Sequence, residues 1–267
     1  MIKVLHLEDY AYSDTSLENL KNKVNLDCLK VENNNQFRTI LKRNDYNYIF
    51  TRIGIQIGQK EIELQPNLKG IITPTTGLNH IDIKIAKDRN IKIISLQNEV
   101  HFLESIKSTA EHTWGLILSI TRNLTPSITH VRNYGWNRKL FMADELSSST
   151  IGIIGFGRLG KIISKYARAF NMDILAFDNG GIETNDNFNY VKMVKLEDLL
   201  KNSDIVVLMI NYKEENKNFF DNKKFSLMKN GSYFINTSRG EMVNEKDLLL
   251  NLKNRRLKGA ALDVLKN

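Results

Sequence analysis

Cysteine is nearly absent: Cys28 is the only one in 267 residues, so no disulfide can form within the chain, and a reducing compartment is expected with Cys28 as a core residue. Long hydrophobic runs are missing as well. No apolar stretch reaches the roughly 18 residues that a membrane span needs. The opening Met1-Ile2-Lys3-Val4-Leu5-His6-Leu7 turns polar too soon for a secretory leader and reads as a first strand. A cytoplasmic protein with no membrane partner is the expectation. There is no internal repeat at a fixed period. Acidic excess is lacking too, since Lys and Arg outnumber Asp and Glu by 38 to 30. The basic residues are scattered and no groove-reading motif accompanies them, so the charge does not specify a nucleic-acid partner. With 42% hydrophobic and 25% charged residues the chain is long and apolar enough for two folded domains.

What is present is an alternation of short β-branched runs with amphipathic stretches, the pattern of βαβ units around a parallel sheet. A first series runs through residues 2–7, 48–51, 70–73 and 91–95, with helical spacing near 16–23, 36–44 and 81–89. A second runs through 150–155, 173–177, 205–209, 232–236 and 259–263. Between them Ile106, Ala110, Trp114, Ile117 and Leu118 form an apolar stripe that predicts one long linking helix over 104–124, stopped by Pro126. The fold class is therefore α/β, with two Rossmann-like doubly wound domains at 1–103 and 104–267.

The strongest local motif is Gly155-Phe156-Gly157-Arg158-Leu159-Gly160, which follows the apolar run Ile151-Gly152-Ile153-Ile154 and opens a helix. In this context Gly155 permits a tight turn, Gly157 lets backbone N–H groups approach a pyrophosphate, and Gly160 lets helix and strand pack closely. The helix N-terminus favours the anion. Asp178 ends the next strand, 23 residues after Gly155, where a carboxylate can accept from ribose hydroxyls and repel a 2′-phosphate. NAD is thus the expected cofactor in preference to NADP. No metal site is expected.

The stretch from Met228 through Asn236-Thr237-Ser238-Arg239-Gly240 to Asn244 resembles the signature of the D-isomer-specific 2-hydroxyacid dehydrogenases. Thr73-Pro74-Thr75-Thr76-Gly77-Leu78-Asn79-His80 is similar to that family's substrate loop, and Ser108-Thr109-Ala110-Glu111-His112-Thr113 to its interdomain helix. Gly135-Trp136-Asn137-Arg138 and Asp144-Glu145-Leu146 are most similar to its phosphoglycerate-dehydrogenase-like members. The resemblance implies a flavodoxin-like substrate domain, an NAD-binding Rossmann domain, a small 2-hydroxy or 2-oxo acid as substrate, and a homodimer. It makes Arg239 the catalytic anchor of the substrate carboxylate, assisted by backbone N–H groups at Thr76 and Gly77, with Arg52 a weaker candidate for the same anion. It places Asn211 beside the adenine, Thr237 near the nicotinamide side, Asp263 on the nicotinamide carboxamide, and Thr109 near the cofactor from the other face of the cleft.

The sequence departs from the family at Thr75, where glycine is usual, at Asn79, where aspartate is usual, and at Asn211, where proline is frequent. The family's catalytic Glu and His both follow the strand that here ends at Leu262-Asp263-Val264, so a chain truncated before them is the expectation. None of the five histidines, at 6, 80, 101, 112 and 130, occupies the family's catalytic place. His80 reads as a solvent-exposed turn residue. The alternative to an oxidoreductase is a non-catalytic NAD(H)-binding protein that senses redox state through a partner.

Overall fold

The computed structural model describes residues 2–8, 12–180 and 186–266. The chain divides into two compact units, Met1–Leu103 and Glu104–Asn267.

In the first unit five strands, β1 (Lys3–His6), β2 (Asn25–Cys28), β3 (Tyr48–Phe50), β4 (Gly70–Thr73) and β5 (Lys92–Ser95), form a parallel sheet in the order β2-β1-β3-β4-β5. That order, with a switch at β1, is the flavodoxin-like one. Leu5 pairs with Ile49, Ile49 with Ile71 and Ile71 with Ile93, so one row of aliphatic residues crosses the sheet. Helices α1 (Asp14–Lys21), α2 (Asn34–Arg43), α3 (Gln59–Glu63) and α4 (Ile83–Asp88) connect the strands. Phe37 and Leu41 of α2 and Ile62 of α3 enter the core that this row begins.

The second unit starts within α5 (Val100–Ser105) and continues through α6 (Ser108–Thr121) and α7 (Leu124–Arg132). Its sheet contains β6 (Thr150–Ile154), β7 (Asp173–Phe177), β8 (Val191–Met193), β9 (Ile205–Leu208), β10 (Ser232–Asn236) and β11 (Leu257–Leu262). All pairings are parallel, and the order β11-β10-β9-β6-β7-β8 is that of the dinucleotide-binding Rossmann fold. Helices α8 (Arg158–Ala169), α9 (Leu196–Asn202), α10 (Asn222–Leu227) and α11 (Glu245–Lys253) complete it. Alternate residues of the central strands feed two separate cores. Ile151, Ile153, Val207 and Ile235 pack with α6 and α8, while Ile154, Val206, Leu208 and Phe234 pack with α9, α10 and α11. A sheet covered on both faces explains why its strands are almost continuously apolar.

The structure corrects the sequence reading of the linking segment. Helix α6 ends at Thr121, and the chain leaves it through Asn123 in the left-handed region at φ 53°, which asparagine tolerates. Pro126 stops nothing; it lies in the first turn of α7, where a backbone N–H has no intrahelical acceptor to lose. Strands β2 and β8 were not anticipated, and Cys28 is half-buried at the end of β2 instead of deep in a core.

Candidate functional site

The turn after β6 assigns each of its glycines a different physical task. Gly155 has φ +99°, and a Cβ there would lie 2.8 Å from the Met209 carbonyl carbon and 2.9 Å from the Ile210 nitrogen. A Cβ on Gly160 would lie 2.2 Å from the Gly155 carbonyl oxygen, so this glycine sets how closely α8 approaches the turn. A Cβ on Gly157 would meet nothing within 4 Å. That open space fronts the N-terminus of α8, where Gly157 supplies no side-chain cap and the first turn carries no acidic residue. The uncapped donors and the helix dipole make this end suited to an anion. Arg158 Nη1 donates to the Ile106 carbonyl at 2.7 Å, while Leu159 packs against the core beneath.

Asp178 stands just past β7, its carboxylate fixed by two backbone donors: Phe156 N–H to Oδ2 and Gly180 N–H to Oδ1, each at 2.8 Å. Asp178 therefore braces the glycine turn while facing the same groove. That groove has a volume of about 300 Å³ and brings together Gly155, Gly157, Asp178 and Asn211 between walls formed by Phe177, Met209, Ile210 and Phe219. The loop after β9 closes one side, with Asn216 Nδ2 donating to the Asn211 carbonyl at 3.1 Å. In the same loop Tyr212 donates its hydroxyl to Glu214 at 2.6 Å, which pushes the phenol up to about 12 and, with Lys217, holds the Glu214 carboxyl below its ordinary range. Lys213, Glu215 and Asn216 also line the groove, and no motif in the sequence pointed to them.

A second group forms beyond β10 and β11. Asn236 is buried; its side-chain oxygen accepts from Ser238 N–H at 3.0 Å and its amide donates to the Arg239 carbonyl at 3.0 Å. Ser238 donates its hydroxyl to the Leu208 carbonyl at 2.7 Å. This bracing fixes the backbone at Arg239, whose Nη1 reaches only the Ser238 carbonyl, at 2.7 Å, among the described residues. Gly240 is obligatory for space, since a Cβ there would lie 2.1 Å from the Leu265 carbonyl carbon. Thr237 is buried with its hydroxyl 2.9 Å from that of Thr113 on α6, and Thr113 in turn donates to the Thr109 carbonyl. Asp263 hangs its backbone on the Asn236 carbonyl at 3.0 Å and presents Oδ1 at 3.1 Å to His112 Nε2.

In the first unit the loop after β4 is held by a chain of polar side chains. His80 Nε2 lies 3.3 Å from the Thr73 hydroxyl, which lies 2.9 Å from that of Thr75, and Thr75 donates to the Gly77 carbonyl at 2.8 Å. His80 is only 2% exposed, which overturns its reading as a solvent-facing turn residue: Thr73, itself buried, gives the imidazole a partner that the sequence pattern did not reveal. Among the described residues the N–H groups of Thr76 and Gly77 have no protein acceptor. Arg52 donates to the Val31 carbonyl at 2.8 Å and the Ile53 carbonyl at 3.1 Å, so part of its guanidinium is used to tie two loops together.

Among the described residues no group of three or more His, Cys, Asp or Glu is arranged to hold a metal ion, and no helix is long and apolar enough to cross a membrane. Sheet order, glycine turn and strand-end aspartate together define an NAD-binding α/β protein. Residues 114–267 match the profile of the D-isomer specific 2-hydroxyacid dehydrogenase NAD binding domain. A Staphylococcus haemolyticus protein assigned to the 2-hydroxyacid dehydrogenases is 33% identical over 223 residues, which cover 82% of this chain and 69% of that protein. Among solved structures, the D-lactate dehydrogenase of Aquifex aeolicus, complexed with NAD and lactic acid, superposes with a TM-score of 0.84 at 27% identity, over 99% of this chain and 77% of that one. An acyclic imino acid reductase complexed with NADPH and D-Arg gives 0.83 at 25% identity, over 100% of this chain and 84% of that one. The chain belongs to the D-isomer specific 2-hydroxyacid dehydrogenase family and carries its NAD-binding domain.

Proposed function

We propose that the chain serves as an NAD-dependent oxidoreductase of D-2-hydroxy acids, interconverting them with 2-oxo acids, with residues 1–103 binding the substrate and 104–267 the cofactor. The observation that carries this reading is the glycine turn without a side-chain cap, beside the braced strand-end carboxylate of Asp178 and on the same sheet edge as Arg239. When bound, the cofactor supplies or accepts the hydride.

The first turn of α8, from Gly157 through Arg158 and Leu159, takes the pyrophosphate on backbone N–H groups. Asp178 retains lone pairs for the ribose hydroxyls and disfavours a 2′-phosphate by like charge, which supports NAD over NADP. Asn211 borders the adenine, Thr237 and Thr109 the nicotinamide side, and Asp263 accepts from the carboxamide. Arg239 grips the substrate carboxylate with its planar fork and places positive charge beside the carbonyl oxygen, where negative charge grows as the carbonyl is reduced. The unpartnered N–H groups of Thr76 and Gly77 suit the same carboxylate, and Arg52 adds positive charge to that edge of the first unit.

NADH binding by the 267-residue chain, followed by fluorescence titration, is the expected result, and its absence overturns the reading. With no residue here in the place of the family's catalytic Glu and His, NADH oxidation by 2-oxo acids should be slow, and Arg239 is tested by binding: in the presence of NADH, Arg239→Gln should weaken a 2-oxo acid about 10- to 100-fold with NADH affinity unchanged. Unaltered 2-oxo acid affinity in that variant removes Arg239 from the substrate site. A cytoplasmic homodimer is part of the proposal. Helix α7 and the segment after it expose Ile128, Val131, Tyr134 and Trp136, the last at 90%, an apolar face that a second copy would cover. A monomeric mass in sedimentation at micromolar concentration would exclude the dimer.

A further inference from the structure

Helix α6 is attached to the carboxyl edge of the second unit's sheet at two neighbouring points. Thr113 meets Thr237 at 2.9 Å, and His112 Nε2 meets Asp263 Oδ1 at 3.1 Å. The first contact is buried and fixes the helix over the end of β10, supported by Ala110, Trp114 and Ile117 in the core beneath. The second is half open to solvent, with the two side chains 53% and 45% exposed. An isolated pair so exposed adds little to stability. Its place is what distinguishes it. The Asp263 backbone is hung on the Asn236 carbonyl, so both partners project from fixed backbone at the edge where open α/β sheets bind ligands. Among the described residues no Lys or Arg pairs with Asp263, and no protein donor other than His112 reaches its carboxylate.

We propose that His112 is a positioning residue for the nicotinamide half of the cofactor, restraining the Asp263 carboxylate so that one oxygen stays directed at the carboxamide amide. The inference rests on the assignment of Asp263 to the carboxamide. A carboxylate on a short, exposed side chain samples several rotamers, and each must be given up when the ring binds; an imidazole held on α6 removes part of that cost beforehand. The effect is confined to the nicotinamide end. The groups assigned to adenine, ribose and pyrophosphate, Asn211, Asp178 and Gly157, line one groove, and neither His112 nor Asp263 is among its lining residues.

The test compares NADH with ADP-ribose, which lacks the nicotinamide, by titration of the full 267-residue chain and its variants. His112→Phe should weaken NADH about three- to fivefold and leave ADP-ribose unchanged. His112→Gln, which keeps an N–H donor within reach of Asp263, should recover most of the loss. In an Asp263→Ala background His112→Phe should have no further effect. Equal weakening of both ligands by His112→Phe means that His112 merely supports α6, and overturns the proposal. If Asp263→Ala separates NADH from ADP-ribose but His112→Phe does not, the inference fails and the assignment of Asp263 stands. If Asp263→Ala changes neither ligand, that assignment fails, and the proposal with it.

Discussion

The first helix of each unit's sheet begins in a chemically different way. Helix α1 is capped by Ser13, whose hydroxyl accepts from Ser16 N–H at 3.3 Å, and Asp14 adds negative charge in the first turn. Helix α8 has Gly157 at the same position, with no cap and no acid. In the first unit the caps continue with Asn33 on α2 and Asp82 on α4. The lesson is that doubly wound topology only brings helix N-termini to a sheet edge; side chains decide whether that end is already satisfied or remains open to an anion.

Gly157→Asp breaks this contrast most directly. Its φ of −76° is ordinary for an L-residue and its Cβ has room, so the variant should fold, with α8 gaining a cap and a favourable charge at its N-terminus. The new carboxylate would stand where the pyrophosphate belongs. Two unit charges about 4 Å apart near a protein surface repel by about 4 kcal/mol, so NADH affinity should fall roughly 10³-fold while the thermal midpoint holds or rises. A variant that binds NADH as the parent does would mean that this turn is not the phosphate site.

The glycine turn, Asp178 and the signature around Arg239 were legible because each is a local pattern: residue type and spacing already state the backbone conformation and charge required. The strands left unread, Asn25–Cys28 and Val191–Met193, are edge strands. An edge strand is short: Asn25-Leu26-Asp27-Cys28 and Val191-Lys192-Met193 alternate polar with apolar residues over only four and three positions, too few for the period to stand out. Pro126 misled because its meaning depends on position, being a breaker within a helix and harmless in the first turn. The burial of His80 was invisible because its partner, Thr73, lies on the preceding strand and meets it only after the loop has folded back. The contact between His112 and Asp263 likewise joins residues 151 positions apart.

A smaller effect separates the units through their charges. In the first unit Glu61 is 4% exposed, which by itself would push its carboxyl up. The Gly58 N–H, Arg38 and Asn34 donate to it and hold it instead below the ordinary range. Because the folded value is the lower one, the stabilisation is present above the unfolded carboxylate range and is lost as pH falls through the folded value. Glu61→Gln should therefore cost about 1–2 kcal/mol at neutral pH in chemical denaturation, and the difference from the parent should shrink towards zero in acid. A difference independent of pH would assign the loss to packing. NADH affinity should not change, since Asp178 and the α8 turn lie in the other unit.

The smallest effect tests the contrast from the opposite side. Ser13→Ala removes the α1 cap and should cost about 1 kcal/mol, read as faster amide hydrogen exchange in α1 and a slightly lower denaturation midpoint. Ser13→Gly, which leaves room for water at the same donors, should cost only a few tenths of that unit. Neither change should create an anion site, because Asp14 still opposes negative charge in the first turn. Both variants should bind NADH as the parent does. If removing the cap from α1 altered NADH affinity, the N-terminus of α1 would be taking part in cofactor binding, and the division of labour between a capped and an uncapped helix would have to be abandoned.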